Sequence, residues 1–262
     1  MGIDYVIDWN CVPKETFSSI EIVNRLKSRD RAATIQQLYH DHGDYRPPTE
    51  MGFEMVRRQP DGHEEVQTVV VQDLLNEIAE LEPYAQYCQN CPANRATQPF
   101  GCFGYISYPI SQQAELWLLK QLPTPDEPLP FLLLSQTMRD FNFNHQALAA
   151  MRASPGVFFE SGERFAKNLE DTQITADQVF EMLFLQEQIL PPHAALLLIF
   201  FRAIPRDMDA DTLMSLTEPG DHDVPFMLQP EANDDDSTVA IKIFFEALYY
   251  AYRLGVPLSL DV

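Results

Sequence analysis

Positive charge, cysteine, tryptophan and long apolar runs are all scarce in this chain. Its 262 residues hold 18 Lys and Arg against 39 Asp and Glu, a net charge of −21. A field of that sign repels phosphate backbones, so nucleic-acid binding is not expected. The longest apolar run, Ala194 to Phe201, is eight residues. A bilayer needs about 20, so this run belongs in a core and no membrane role is expected. The first residues, Met1-Gly2-Ile3-Asp4-Tyr5-Val6, carry neither a basic nor a long apolar segment. They read as no secretion signal, and the expected compartment is the cytoplasm. There is no Gly-rich phosphate loop, no dinucleotide fingerprint and no nucleophile or metalloprotease arrangement. A nucleotide enzyme is therefore not indicated; whether the chain is an enzyme of another kind stays open, since catalytic groups that converge only in the fold leave no such trace.

What is present is unevenly spread. Residues 1–122 hold 10 Lys and Arg against 17 Asp and Glu, a balance of −7; residues 170–262 hold 4 against 17, a balance of −13. An acidic second half suits a basic protein partner, a polyamine or a divalent cation, and equally serves solubility. The Pro123, Pro125, Pro128 and Pro130 cluster excludes a helix and an inner strand and reads as a linker or stiff loop over 122–130. It separates an expected domain at 1–122 from a mainly helical acidic region at 131–262, two parts that could equally pack as one.

Three of only four cysteines fall in one short stretch, Cys88, Cys91 and Cys102. Cys11 follows the first strand-like segment. A Cys-x-x-Cys turn with two further cysteines has the ligand count of a tetrahedral thiolate centre. The expectation is a structural Zn²⁺ held by Cys11, Cys88, Cys91 and Cys102, with a [4Fe–4S] cluster as the alternative on the same ligands. Such a metal-stapled loop would tie the N-terminal strand to the one that begins near Phe103, making them neighbours in one sheet. The functional expectation is a metal-binding protein with a non-enzymatic protein-interaction role; a thiol redox or iron–sulfur protein is the alternative.

Other candidates have plainer readings. Asp207, Asp209, Asp211 and Glu218 match four positions of a calcium loop, but Thr212 stands where glycine is required; an acidic helix start explains them better. His40, Asp41, His42 and Asp44 could ligate a metal, yet histidine near a helix end is favourable in itself. Arg25, Lys27, Arg29 and Arg31 read as a solvated surface. Phe141-Asn142-Phe143 and Tyr249-Tyr250 are aromatic enough to suggest a binding surface, with burial in a core the commoner outcome.

The pattern is α+β, mostly helical with a small sheet. Alternation marks strands near 3–9, 53–59, 64–71 and 103–110, the middle pair joined by a turn at Pro60-Asp61-Gly62-His63. Capping boxes at Ser18/Glu21 and Thr175/Gln178 start helices. Further helices are expected over Arg31–His40, Asp73–Leu81, from Ser111, over Asn144–Arg152 and over Ser237–Leu254, the last closed by Gly255.

Overall fold

The alternation at the N-terminus builds β1 (Gly2–Ile7), with Tyr5 and Ile7 fully buried. The computed structural model describes residues 2–58, 64–96, 98–141, 143, 146–169, 172–217 and 224–261. The expected Pro60–His63 turn, the start of the Asn144 helix, Glu218 and His222 lie outside them.

By packing, the chain divides into two units, residues 10–91 and residues 1–9 with 92–262; the proline stretch 122–130 lies inside the second. The smaller unit opens with α1 (Val12–Thr16) and α2 (Ser19–Asp41). The Ser18 hydroxyl accepts from the Glu21 N–H at 3.3 Å while the Glu21 carboxylate accepts from the Ser18 N–H at 2.8 Å, the reciprocal cap the residue pattern implies. The two helices expected at Ser18 and Arg31 are one. Lys27 to Arg31 contains no proline or glycine, and its Lys and Arg propagate a helix well. Gly43, at φ +74°, ends it. Then come β2 (Gly52–Arg58), β3 (Glu64–Val70) and α3 (Val71–Ala79). The strands pair antiparallel, Phe53 opposite Val69. Ala32, Met51, Val71 and Leu74 close this unit's core. Asp73 sits in the first turn of α3 and does not cap it.

The larger unit continues with β4 (Phe103–Ser107), α4 (Gln112–Gln121), α5 (Pro128–Phe141), α6 (Gln146–Arg152), β5 (Ala166–Leu169), β6 (Thr172–Thr175), α7 (Ala176–Phe184), β7 (Gln188–Ile189), α8 (Pro191–Phe200), α9 (Ala210–Thr217), α10 (Asp236–Leu254) and β8 (Leu258–Leu260). The expected exclusion of helix across 122–130 fails at its end: Pro128 and Pro130 occupy the first turn of α5, where their missing N–H groups had no intrahelical partner to lose. The apolar run from Ala194 is helical to Phe200, led by Pro191 and Pro192. β5 with β6, and β7 with β8, are strands the alternation does not announce, because none exceeds four residues.

The main sheet runs β4-β1-β8-β7, antiparallel throughout. β1 and β4 are neighbours, as expected, held by their ladder with Tyr5 opposite Gly104. A Cβ on Gly104 would overlap the Tyr5 ring, so this close approach requires glycine. The apolar stripe of α10 (Ile241, Phe244, Phe245, Leu248, Ala251 and Tyr252) is wholly buried. Phe244 meets Tyr5 edge-on at 5.3 Å and Phe184 at 5.0 Å; Phe245 packs on Phe201 at 5.0 Å. Each buried phenyl ring contributes roughly 2–3 kcal/mol of transfer free energy. On α4, Leu116 faces solvent and Leu118 is buried. The class is α+β, with small antiparallel sheets among many helices. No helix of the described residues is long and apolar enough to cross a membrane.

Candidate functional site

The sequence places first weight on the cysteines. Cys11 is the residue before α1, part-exposed and without a capping side-chain bond. Cys88 is buried at the end of a 3₁₀ helix, Glu82–Cys88. Pro83 stands in the first turn of this helix, again at a position where its missing N–H costs nothing. Cys91 lies one turn on, its N–H reaching the Cys88 carbonyl at 3.3 Å. These three belong to the smaller unit. Cys102 belongs to the larger and is buried just before β4, its carbonyl accepting from the Ile7 N–H at 3.0 Å. All four are thiols. Among the described residues no group of three or more His, Cys, Asp and Glu side chains is gathered as a metal ion requires, so the metal-stapled loop has no support in the geometry. Gly101 serves a different close approach: the Asn94 side-chain oxygen accepts its N–H at 2.9 Å and fills the space of a Cβ.

The other candidates take their plainer roles. The Asp209 carboxylate accepts from the Thr212 N–H at 2.8 Å and so caps α9; that bond holds the carboxyl below its ordinary range. His40 stacks on Tyr45, the Nδ1 of His42 lies 2.8 Å from the Leu38 carbonyl, and Asp44 pairs with Arg46 at 2.6 Å. Arg25 pairs with Glu80 at 2.6 Å above the Phe17 ring. Tyr249 and Tyr252 are core residues.

Phe141 and Phe143 behave differently. Between α5, α7 and α8 the larger unit forms a half-open cavity of about 380 Å³. Met182, Leu197 and Phe200 wall it, and all three are buried. Phe141 ends α5 and is 60% exposed, yet its ring stacks on Phe143 at 5.8 Å with only 15° between the planes. His193, in the first turn of α8, meets the edge of Phe141 at 6.3 Å. The Phe143 carbonyl accepts from the Gln178 amide at 3.4 Å, tying the aromatic segment to the capping box of α7. Thr137, Glu181, Gln186 and His193 are the polar residues of the lining, and the Gln186 amide donates to the Met182 carbonyl. The volume lies at the low end of small-molecule sites, and apolar walls with a few polar groups are their usual make-up.

A second cluster is buried. Arg152 joins α4, α6 and α7. Its Nη2 donates to Glu115 at 2.8 Å, its Nε to Asp177, and its Nη1 to the Glu163 carbonyl at 2.9 Å. Its guanidinium lies 4.1 Å over the Phe159 ring. Arg164 pairs with the far oxygen of Asp177 at 2.9 Å. Burial pushes the Glu115 carboxyl up to about 7 against the pull of Arg152, and Asp177 and Glu160 add to the rise. Its Oε2 has no hydrogen-bond partner among the described residues. The sequence gives little sign of this cluster, since charged residues in helical turns are ordinarily solvated.

No family model, curated protein or solved structure matches the chain. The reading of the cavity therefore rests on its own geometry.

Proposed function

We propose that the larger unit binds a small, mainly apolar molecule in the cavity between α5, α7 and α8. The observation that carries this reading is the stacked Phe141–Phe143 pair, a large aromatic surface held at the edge of an apolar space and left open to solvent. Two rings in that position offer stacking area at low entropic cost. The test is titration with an uncharged solvatochromic dye. Phe141→Ala should weaken dye binding about tenfold, the loss of one stacked ring at about 1.4 kcal/mol. Its melting temperature should stay near that of the parent, because the side chain is mostly solvated. Unchanged dye affinity in this variant would refute the reading.

The charge balance supports a second role within the same picture. An acidic, cytoplasmic protein would favour a basic protein partner over nucleic acid. A zinc centre at Cys11, Cys88, Cys91 and Cys102, or an iron–sulfur cluster in its place, is a separate proposal supported by cysteine count and spacing. Elemental analysis of freshly purified protein decides it: about one zinc per chain, lost in both Cys11→Ser and Cys91→Ser, is the supporting result, and metal-free protein ends it.

A further inference from the structure

We propose that the smaller unit holds a binding site of its own, for an α-amino acid with an apolar side chain, in a half-open cavity between α2, α3 and the β2–β3 hairpin. The site is independent of the larger unit's cavity. Its volume is about 380 Å³, and its described lining carries opposite charges that do not meet. Two contacts set the register of the helices. Arg25 pairs with Glu80, and the Ser28 hydroxyl donates to Glu77 at 2.7 Å. Three residues on in α2 thus face three residues back in α3, as in antiparallel helices. The next step brings Arg31 level with Leu74, one residue from Asp73. Arg31 and Asp73 both line the cavity, yet neither forms a hydrogen bond or an ion pair among the described residues. The third rung of the series is unmade, and the cavity lies in its place.

That gap selects a ligand carrying both charges. An anion would meet Asp73 and Glu77, a cation would meet Arg31, and a neutral molecule would answer none of the three. A zwitterion answers each. Its carboxylate suits a guanidinium, whose fork grips two oxygens at once. Its ammonium brings three N–H donors and no acceptor. Asp73 can take one of them, with Glu77 one turn further along the same face of α3. The Asn24 and Gln67 amides add both donors and acceptors to the lining. Ser28 and Leu74 are buried, whereas Arg31 and Asp73 are exposed, so the unmatched charges stand at the mouth. The ligand's side chain meets apolar walls. Phe53 and Met55 alternate along β2 opposite Val69 and Gln67 of β3, so one face of the hairpin covers the space, and Leu74 closes it from α3. The volume lies at the low end of small-molecule sites, as a single amino acid requires.

The test is calorimetry on the full chain with L-leucine, 3-methylbutylamine and 4-methylpentanoate. The three share one side chain and carry both charges, the positive one alone and the negative one alone. Leucine should bind at least tenfold more tightly than either of the others. Arg31→Met should weaken leucine at least tenfold and leave the amine within twofold. Asp73→Asn should weaken leucine as much and leave the acid within twofold. Both side chains are solvated and make no bond, so the melting temperatures of the variants should match the parent's. Leucine affinity unchanged in either variant, an amine or acid that binds as tightly as leucine, or no leucine binding at all would each overturn the inference. So would a melting temperature that falls in each single variant and recovers in Arg31→Met/Asp73→Asn, the mark of a direct pair that closes the cavity.

Discussion

Glu115→Gln isolates the electrostatic cost of the buried cluster. A carboxyl whose ordinary value is 4.5 stands near 7 in the folded protein. The folded state therefore holds its proton more tightly than the unfolded chain does. The associated stability is fully present below pH 4.5 and is lost as the pH rises through 7. At about 1.4 kcal/mol per pH unit the whole loss is about 3 kcal/mol. The chain's isoelectric point, near 4.5, makes the acid end impractical, but about 2 kcal/mol of the loss falls between roughly pH 5.5 and 8.5 by the same linkage. Glutamine keeps an oxygen for the Arg152 Nη2 and has no proton to lose. Its amide N–H, where Oε2 finds no partner, adds a cost of about 1–3 kcal/mol that does not vary with pH. The offset between variant and parent is thus uninformative, and the slope is the measurement. Urea unfolding of both proteins across this range should show the variant gaining about 2 kcal/mol on the parent toward alkaline pH. A difference constant with pH, or a variant that loses ground on the parent as the pH rises, would refute the argument that burial governs this carboxyl.

Further perturbations address the packing. Lys242 is buried with its Nζ 2.7 Å from Asp234 and 3.0 Å from the Gln229 carbonyl, over the Trp117 ring at 5.5 Å. Lys242→Met leaves the Asp234 carboxylate buried without its cation and should cost about 3–5 kcal/mol, with Lys242→Met/Asp234→Asn regaining part of it in the same denaturation assay. Gly104→Ala forces a methyl into the Tyr5 ring and should cost about 1–3 kcal/mol. Gly156→Ala, at φ +80° with open space around it, should cost only about 1 kcal/mol, the backbone term alone. Melting curves that ranked these two glycines in the opposite order would contradict the close approach of β1 and β4.

Features set by local chemistry could be read ahead of the structure. The Ser18 and Thr175 capping boxes, the buried stripe of α10 and its stop at Gly255 depend on residues within a few positions of one another. Misreadings came where a residue's role depends on position within an element. Pro128 and Pro130 looked like breakers and proved to be starters, because a proline in a first turn has no hydrogen bond to remove. The short strands β5 to β8 owe their existence to partners, and two to four residues leave no period to detect. The adjacency of β1 and β4 was reached by way of a metal; backbone pairing is what holds it. For the cavity, the aromatic Phe141–Phe143 segment was visible, but its walls come from α7 and α8, dozens of residues further on. The Arg152 cluster was invisible because Glu115, Arg152 and Asp177 come from three separate helices and look individually like surface charges.

The central place of β1 has a consequence for biosynthesis. Tyr5 faces Gly104 on one side and Leu260 on the other. The first neighbour is translated about 100 residues after it and the second about 250 after it, so the nascent strand waits through that whole interval with an edge unmet. A strand waiting that long is a natural substrate for a holding chaperone, and slowing translation would prolong its exposure without speeding the sheet's completion.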